Sequence, residues 1–288
     1  MVFIIRFFEI YNSFYEEIKM EMSHKEYYYI DNGTYLNLMI KNLFEGDISN
    51  NMKIYWKEML FRIHFIATSS ILRNAEWIKG ILFGLEENNT MIFSSSLRGL
   101  LEAVTDSFYS LESVPTGLAL NYKKIMQALE GNMNRTFHAE TLEKTLIHYE
   151  FASREGKDED KALSANAYIK EYDECSKVDT KKLYIQLCGI VHPAAGSLTS
   201  FRKEVKVSEH ISYTSTCFDK NIVIKNIWKE NEEAIKLLVK MSILLPVLCL
   251  KVLNSFEFEE IDSRYIEKCK VVGIFDKDKL KEIDKMME

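Results

Sequence analysis

Apolar residues recur along most of this chain at the three- and four-residue intervals of an α-helix. Between positions 34 and 44, Leu36, Met39, Ile40 and Leu43 keep that spacing. From 51 to 85, Trp56, Leu60, Ile63, Ala67 and Ile71 lead into Trp77 and Ile81, predicting one long helix or two joined near Asn74. The clearest helix is 91–111. Val114, Pro115 and Thr116 are expected to end it, and the next to run from Gly117 to Leu129. Further helices are predicted over 140–151, 162–175 and 180–191, the last with Leu183, Leu187 and Val191 in register. A long helix follows, with Asp219 as its expected cap and Ile224, Ile227, Trp228, Ile235 and Leu238 inward. Pro246 lies within its apolar stretch 241–250 and is expected to kink it. Asp262 and Asp276 are expected to cap two short terminal helices.

One stretch departs from the helical period. Val205 and Val207 alternate with charge, and Ile211 and Tyr213 with Ser and Thr, which predicts a short β-hairpin near 203–217. The charged run GKDEDK at 156–161 is expected as a surface loop. No repeat and no linker is visible. The expected fold is therefore all-α, a multi-helix bundle over 1–255, with a small helical appendage over 256–288.

Composition narrows this further. Only 11 Gly and 3 Pro occur in 288 residues, too few for the tight turns of a β-sandwich or a doubly wound sheet. A net charge of −6 excludes coating of nucleic acid by bulk positive charge, but leaves room for a local basic patch. The five cysteines have no CxxC spacing, which fits a reducing cytoplasm better than a disulfide framework. In MVFIIRFFEI, Arg6 interrupts the apolar run and Glu9 ends it, so a buried N-terminal segment is expected rather than a targeting one. The stretch 241–250 falls short of the about 20 apolar residues of a membrane span. A cytoplasmic protein without membrane contact is expected.

Two segments carry candidate chemistry. Advancing the helix 91–111 by about 100° per residue gathers Phe93, Leu97, Leu100, Leu101, Val104, Phe108 and Leu111 about one direction. Ser96, Gly99, Ala103, Ser107 and Ser110 form a second face, small enough to admit another helix closely. Between them runs a polar stripe, Arg98, Glu102, Thr105 and Tyr109. A buried Arg needs a partner, and Glu102 at i+4 is within reach. The pair either fixes helix orientation or holds a guanidinium towards a phosphate or carboxylate.

The second segment is YIQLCGIVHPAAGSL, 184–198. Tyr184, Cys188 and His192 lie along one face, and Pro193 places His192 at a helix C-terminus. There the helix dipole favours a protonated imidazole, able to donate a proton or hold a phosphate. The alternative is a capping histidine bonded to carbonyls. Lys181, Lys182, Arg202, Lys203 and Lys206 flank the segment as a candidate phosphate patch. No metal or cofactor is expected. Cys188 and His192 lack the further ligands a metal needs, and His138 and His148 lie in no metal-binding spacing. No phosphate-binding glycine loop or nucleophile elbow is present.

SLRGLLEAVTDSFYSL at 96–111, followed by YIQLCGIVHP at 184–193, resembles helical bacterial proteins in which an Arg-x3-Glu helix precedes a Tyr-…-His-Pro helix end. These are similar to the HEPN superfamily (higher eukaryotes and prokaryotes nucleotide-binding), over about residues 50–200. The resemblance implies a bundle of four or more helices, homodimerisation, and RNA cleavage or nucleotide binding in toxin–antitoxin or phage-defence settings. On it, His192 stands for the family histidine, and Arg98 and Glu102 for the Arg-x3-Glu helix. Catalytic HEPN ribonucleases carry an Arg, four to six residues, then a His at one helix end. No Arg precedes His192 at that spacing, and Arg202 and His210 come closest.

Two functions follow as expectations. In a metal-independent endoribonuclease, His192 is general acid or base for attack by a ribose 2′-OH, Arg98 neutralises the phosphorane, and Glu102 orients Arg98. Tyr184, Tyr109, Lys182 and Arg202 then help bind the RNA or nucleotide. In a non-catalytic regulatory or assembly module with a protein partner, the same residues are structural.

Overall fold

The computed structural model describes all residues except 23, 24, 28, 152, 154, 156–160, 194, 200, 217–219, 258–260, 269–276 and 288. The helical period is realised as α1 (Val2–Met22), α2 (Asn32–Phe44), α3 (Ile48–Glu86), α4 (Thr90–Leu111), α5 (Val114–Leu120) and α6 (Tyr122–Leu129). There follow α7 (Glu140–Phe151), α8 (Ala165–Ser176), α9 (Thr180–Val191), α10 (Ala195–Thr199), α11 (Lys220–Asn254) and α12 (Lys277–Met287). The fold is all-α, as the pattern predicts. Strands β1 (Arg202–Lys206) and β2 (Ser212–Thr216) form the expected hairpin, antiparallel, with Arg202 opposite Thr216 and Lys206 opposite Ser212. No helix among the described residues is long and apolar enough to cross a membrane. All of the expected loop 156–161 except Lys161, and the caps Asp219 and Asp276, lie outside the described residues.

The chain forms two compact units. The first comprises Met1–Glu16, Leu72–Tyr109 and Ser164–Ile243. Here α3 turns into α4 through Asn88, in left-handed conformation, and Asn89, whose side chain accepts from the backbone N–H of Met91 and Ile92. The two helices then run in close approach. A Cβ on Gly84 would stand 2.5 Å from the Phe93 backbone nitrogen, and one on Gly80 would overlap Ser96 Oγ. The Trp77 ring lies against Gly99, 2.7 Å from where its Cβ would be. Arg73 donates to Ala103 O at 3.1 Å and Ser107 Oγ at 2.9 Å, and pairs with Asp106 at 3.1 Å. The small-residue face of α4 is thus the face that α3 covers. This accounts for Trp77, which packs on that face yet stays partly exposed.

α1 is two-faced rather than buried throughout. Ile4 and Phe8 are buried and Phe7 packs on Trp228 at 5.2 Å, whereas Val2 and Phe3 are exposed. The α11 backbone departs from helical angles at Asn231 (φ −134°, ψ 24°), not at Pro246. Asn231 instead donates to Ile227 O and Gln186 Oε1. Pro246 has no N–H to give Ser242 O four residues back, and Asn74 Nδ2 supplies that bond at 2.9 Å. Asn74 is therefore a buried donor within an unbroken α3, not a joint between two helices.

The second unit comprises Glu17–Ile71, Ser110–Leu163 and Leu244–Glu288. Trp56, Leu60 and Ile63 of α3 are buried, with Trp56 stacked on Phe137 at 5.1 Å. Pro115 begins α5 rather than ending its predecessor, since its missing N–H is harmless in a first turn. Leu36, Ile40 and Leu43 of α2 are exposed despite their helical spacing. His64, which no motif singles out, is fully buried between Tyr27 Oη and Ser263 Oγ, both at 2.7 Å.

Burial, with a smaller contribution from Lys25, pushes the His64 imidazole down to about 3. The fold therefore holds it neutral. Its contribution to stability is complete above the unfolded value near 6.5 and is lost as pH falls towards about 3. Urea unfolding is expected to lose about 1.4 kcal/mol per pH unit below 6.5 through this residue. His64→Gln should be less stable at pH 8 but lack that part of the slope. An unchanged slope would show that His64 is not the group responsible.

Candidate functional site

Four of the predicted residues converge in the first unit. Pro193 disfavours helical geometry in the residue before it, so α9 ends at Val191. His192 becomes its C-cap in extended conformation (φ −75°, ψ 143°), with its backbone N–H donating to Cys188 O at 2.9 Å. The imidazole is exposed. The start of α9 is fixed by Asp173 at the end of α8, which accepts from the backbone N–H of Thr180 at 2.9 Å and Lys181 at 3.0 Å. Asp179 caps Lys182 N at 2.9 Å. Gln186, between Glu230 and Asn231, ties the same helix to α11.

Arg98 projects from α4 to meet it. Its Nε donates to Glu102 Oε1 at 2.8 Å and its Nη1 lies 2.9 Å from His192 Nε2. Its guanidinium carbon sits 5.4 Å from the centre of the Tyr184 ring, within cation–π range. Thus i,i+4 spacing supplies Arg98–Glu102 within one helix. The Tyr184–Cys188–His192 ridge of the other supplies a ring to lie on and a nitrogen to bind.

The chemistry of these contacts fixes their states. A guanidinium has no acceptor, so Arg98 donates and His192 Nε2 presents its lone pair. An imidazole that accepts this bond through Nε2 carries its proton on Nδ1. The Arg98 guanidinium places a cation at this helix end, beside the imidazole. Burial pulls the Arg98 guanidinium towards losing its proton, but the Glu102 hydrogen bond and charge outweigh it, and the net shift is upward. Burial raises Tyr184, and the Glu102 charge and the Cys188 hydrogen bond add to that, so it stays a phenol. Arg98 and Glu102 are each part-exposed, at 21% and 32% of their side chains, so the cluster opens to solvent at its His192 end. Two of the five guanidinium N–H groups are engaged in these contacts, and the others can reach an oxyanion.

The other predicted residues stand elsewhere. Lys182 lies ten residues before His192 on α9, which the helical rise makes about 15 Å along the axis. Tyr109 lies eleven residues beyond Arg98 and packs edge-on to Tyr168 at 5.2 Å. Thr105 of the same stripe is buried and bonds Leu101 O of its own helix. Arg202 is exposed at the start of β1, and no bond links it to the cluster among the described residues. In the second unit, a hollow of about 210 Å³ lined by Tyr27, Lys57, Glu58 and Phe61 contains none of the predicted residues.

Two glycines beside His192 differ in kind. A Cβ on Gly196 of α10 would lie 2.6 Å from Gly189 O, so that close packing requires glycine. A Cβ on Gly189 would meet no described atom within 4 Å, and its φ is not left-handed. Glycine inside a helix costs about 1 kcal/mol relative to alanine. Among the described residues, no atom fills the space that a Cβ at Gly189 would take.

Nitrogen-15 spectra of the imidazoles test the assigned state. His192 is expected as the Nδ1–H tautomer with Nε2 accepting from Arg98, and Arg98→Ala should remove that bias, since a free imidazole prefers the other tautomer. An Nε2–H resonance in the unaltered protein would overturn the assignment. Comparison with known protein families, with curated proteins and with solved structures finds no match to this chain.

Proposed function

We propose that the Arg98–His192 cluster is the phosphate site of a metal-independent endoribonuclease of the HEPN-like kind. The observation that carries this reading is the 2.9 Å contact between Arg98 Nη1 and His192 Nε2 across 94 positions of sequence. An arginine near the histidine is what that chemistry needs, and α4 delivers it where the local sequence before His192 does not.

In this reading the scissile phosphate takes the guanidinium N–H groups that Glu102 leaves uncommitted. Arg98 turns its donors onto the phosphate oxygens and releases Nε2. The freed nitrogen accepts the proton of the ribose 2′-OH, whose oxygen attacks phosphorus and expels the 5′-oxygen of the next nucleotide. Charge building on the phosphorane oxygens meets a fixed cation held by Glu102 and backed by the Tyr184 ring. The imidazolium then returns its proton to the leaving oxygen, giving a 2′,3′-cyclic phosphate end. Tyr184 positions Arg98. Tyr109, Lys182 and Arg202 do not touch the cluster among the described contacts, and in this reading they serve as outlying contacts for the rest of the RNA strand. A cytoplasmic setting, a homodimer and a defence or toxin–antitoxin role belong to the same proposal through the family resemblance.

Incubation with cellular RNA in EDTA tests it. The protein is expected to cleave, and His192→Ala to cut the rate by about 10²–10⁴-fold. Arg98→Lys, which keeps the charge but loses the fork, should also fall steeply, by about 10²-fold. Circular dichroism checks that each variant is folded. Cleavage by folded His192→Ala at the unaltered rate, or no cleavage by the unaltered protein, would favour the second reading, a regulatory module in which Arg98 braces α4 against α9.

A further inference from the structure

The second unit holds a hollow that the Arg98–His192 chemistry does not use. On α3, Lys57, Glu58 and Phe61 follow at i, i+1 and i+4 and share one side of the helix, within about 100° of rotation. The segment joining α1 to α2 supplies Glu26, Tyr27 and Ile30, and Ile261 completes the lining. That segment is fastened at two points. Tyr27 Oη meets His64 Nδ1 at 2.7 Å, and Lys25 Nζ donates to Asp262 O at 2.8 Å, tying the segment to the residue after Ile261.

The lining is graded by depth. Glu58, Phe61 and Ile261 are buried, Tyr27, Ile30 and Lys57 are half-buried, and Glu26 is exposed. A carboxylate therefore stands among apolar side chains at depth, where a charge is costly unless cations answer it. Arg62 answers Glu58 from outside the lining, its Nε 3.8 Å from Oε2. Lys57 Nζ lies 5.2 Å from the centre of the Phe61 ring, which holds its ammonium along the wall.

A ligand for this lining carries both signs of charge on a small apolar body. Lys57 and Glu58 are consecutive, so they offer a cation and an anion within one turn of helix. An α-amino acid bears its ammonium and its carboxylate on a single carbon, so one turn can meet both. The volume, about 210 Å³, exceeds the about 150 Å³ that receives benzene in an apolar protein cavity, and falls below the roughly 300 Å³ at which drug-sized sites begin. It admits a branched or aromatic side chain with its α-carbon and little more.

We propose that the hollow binds a free α-amino acid with an apolar side chain. Its carboxylate meets Lys57, its ammonium lies between Glu58 and Glu26, and its side chain rests against Ile30, Phe61 and Ile261. The site draws on none of the Arg98–His192 residues and does not rest on the ribonuclease reading.

Calorimetry on the full chain tests this with L-leucine, L-phenylalanine and two truncated probes. One is 3-methylbutylamine, which lacks the carboxylate of leucine, and the other is 4-methylpentanoate, which lacks its ammonium. At least one of the two amino acids is expected to bind and raise Tm, with the truncated probes about 10-fold or more weaker than L-leucine. Lys57→Met, which keeps an apolar stem on Phe61, should weaken L-leucine by about 10-fold or more and leave the amine unchanged. A general loss of structure does not produce that change of selectivity. Glu58→Gln should weaken L-leucine and the amine alike. Where loss of the Arg62 pair unfolds that variant, as circular dichroism would report, Glu26→Gln at the exposed rim should weaken both severalfold in a folded protein. Failure of both amino acids to bind would overturn the proposal. So would unchanged L-leucine affinity in Lys57→Met, or amine binding as tight as that of L-leucine, which would make the hollow a site for organic cations instead.

Discussion

The close crossing of α3 and α4 is the constraint on which the first unit depends. Two helices carrying ordinary side chains pack 8–10 Å apart, but Gly80 and Gly84 let α3 approach Ser96 and Phe93 more tightly. The Trp77 ring on Gly99 and the Arg73 bonds to Ala103 and Ser107 leave α4 one rotation about its axis. With its small face against α3 and its leucines in the core, only the polar stripe remains to be turned elsewhere. That is why Arg98 points at α9 rather than at solvent.

Once there, the guanidinium is held from three sides that differ in nature. A carboxylate neutralises it, an aromatic face shields it, and an imidazole accepts from it. None of these is a bidentate clamp, so the fork geometry that suits phosphate is not used up within the protein. Glu102 binds through Nε, the edge opposite to the one that faces His192. A cation so arranged is firmly charged and oriented, yet still has donors to spend.

Much of this was legible beforehand, in a way that local physics explains. The bounds of α9 follow from its Asp179 cap and from Pro193, and the Arg98–Glu102 bond follows from i,i+4 spacing, because each is decided within a few residues. The meeting of Arg98 with His192 is not local. Periodicity gave each a face but no distance between helices. Periodicity is also silent on position along an axis: Tyr109 and Lys182 share a helix with a member of the cluster but lie turns away from it. Pro246 is expected to bend α11, and the spacing around Asn74 leaves open one long helix or two. Each instead resolves the other's difficulty, since the donor proline lacks is supplied by the asparagine. His64 left no sequence signal, as an isolated histidine among apolar residues reads as any other core position.

The way the two units share the chain bears on how the protein comes into being. Each is assembled from three separated stretches, and α3, α4 and α11 each contribute residues to both. The first unit cannot close until Ile243 has been synthesised, nor the second until segments well beyond it have emerged. Closure of either unit therefore waits on contacts between distant parts of the chain. No single cut yields two self-sufficient fragments, so a gene fusion or a split at any one point would inherit parts of both halves and the whole of neither.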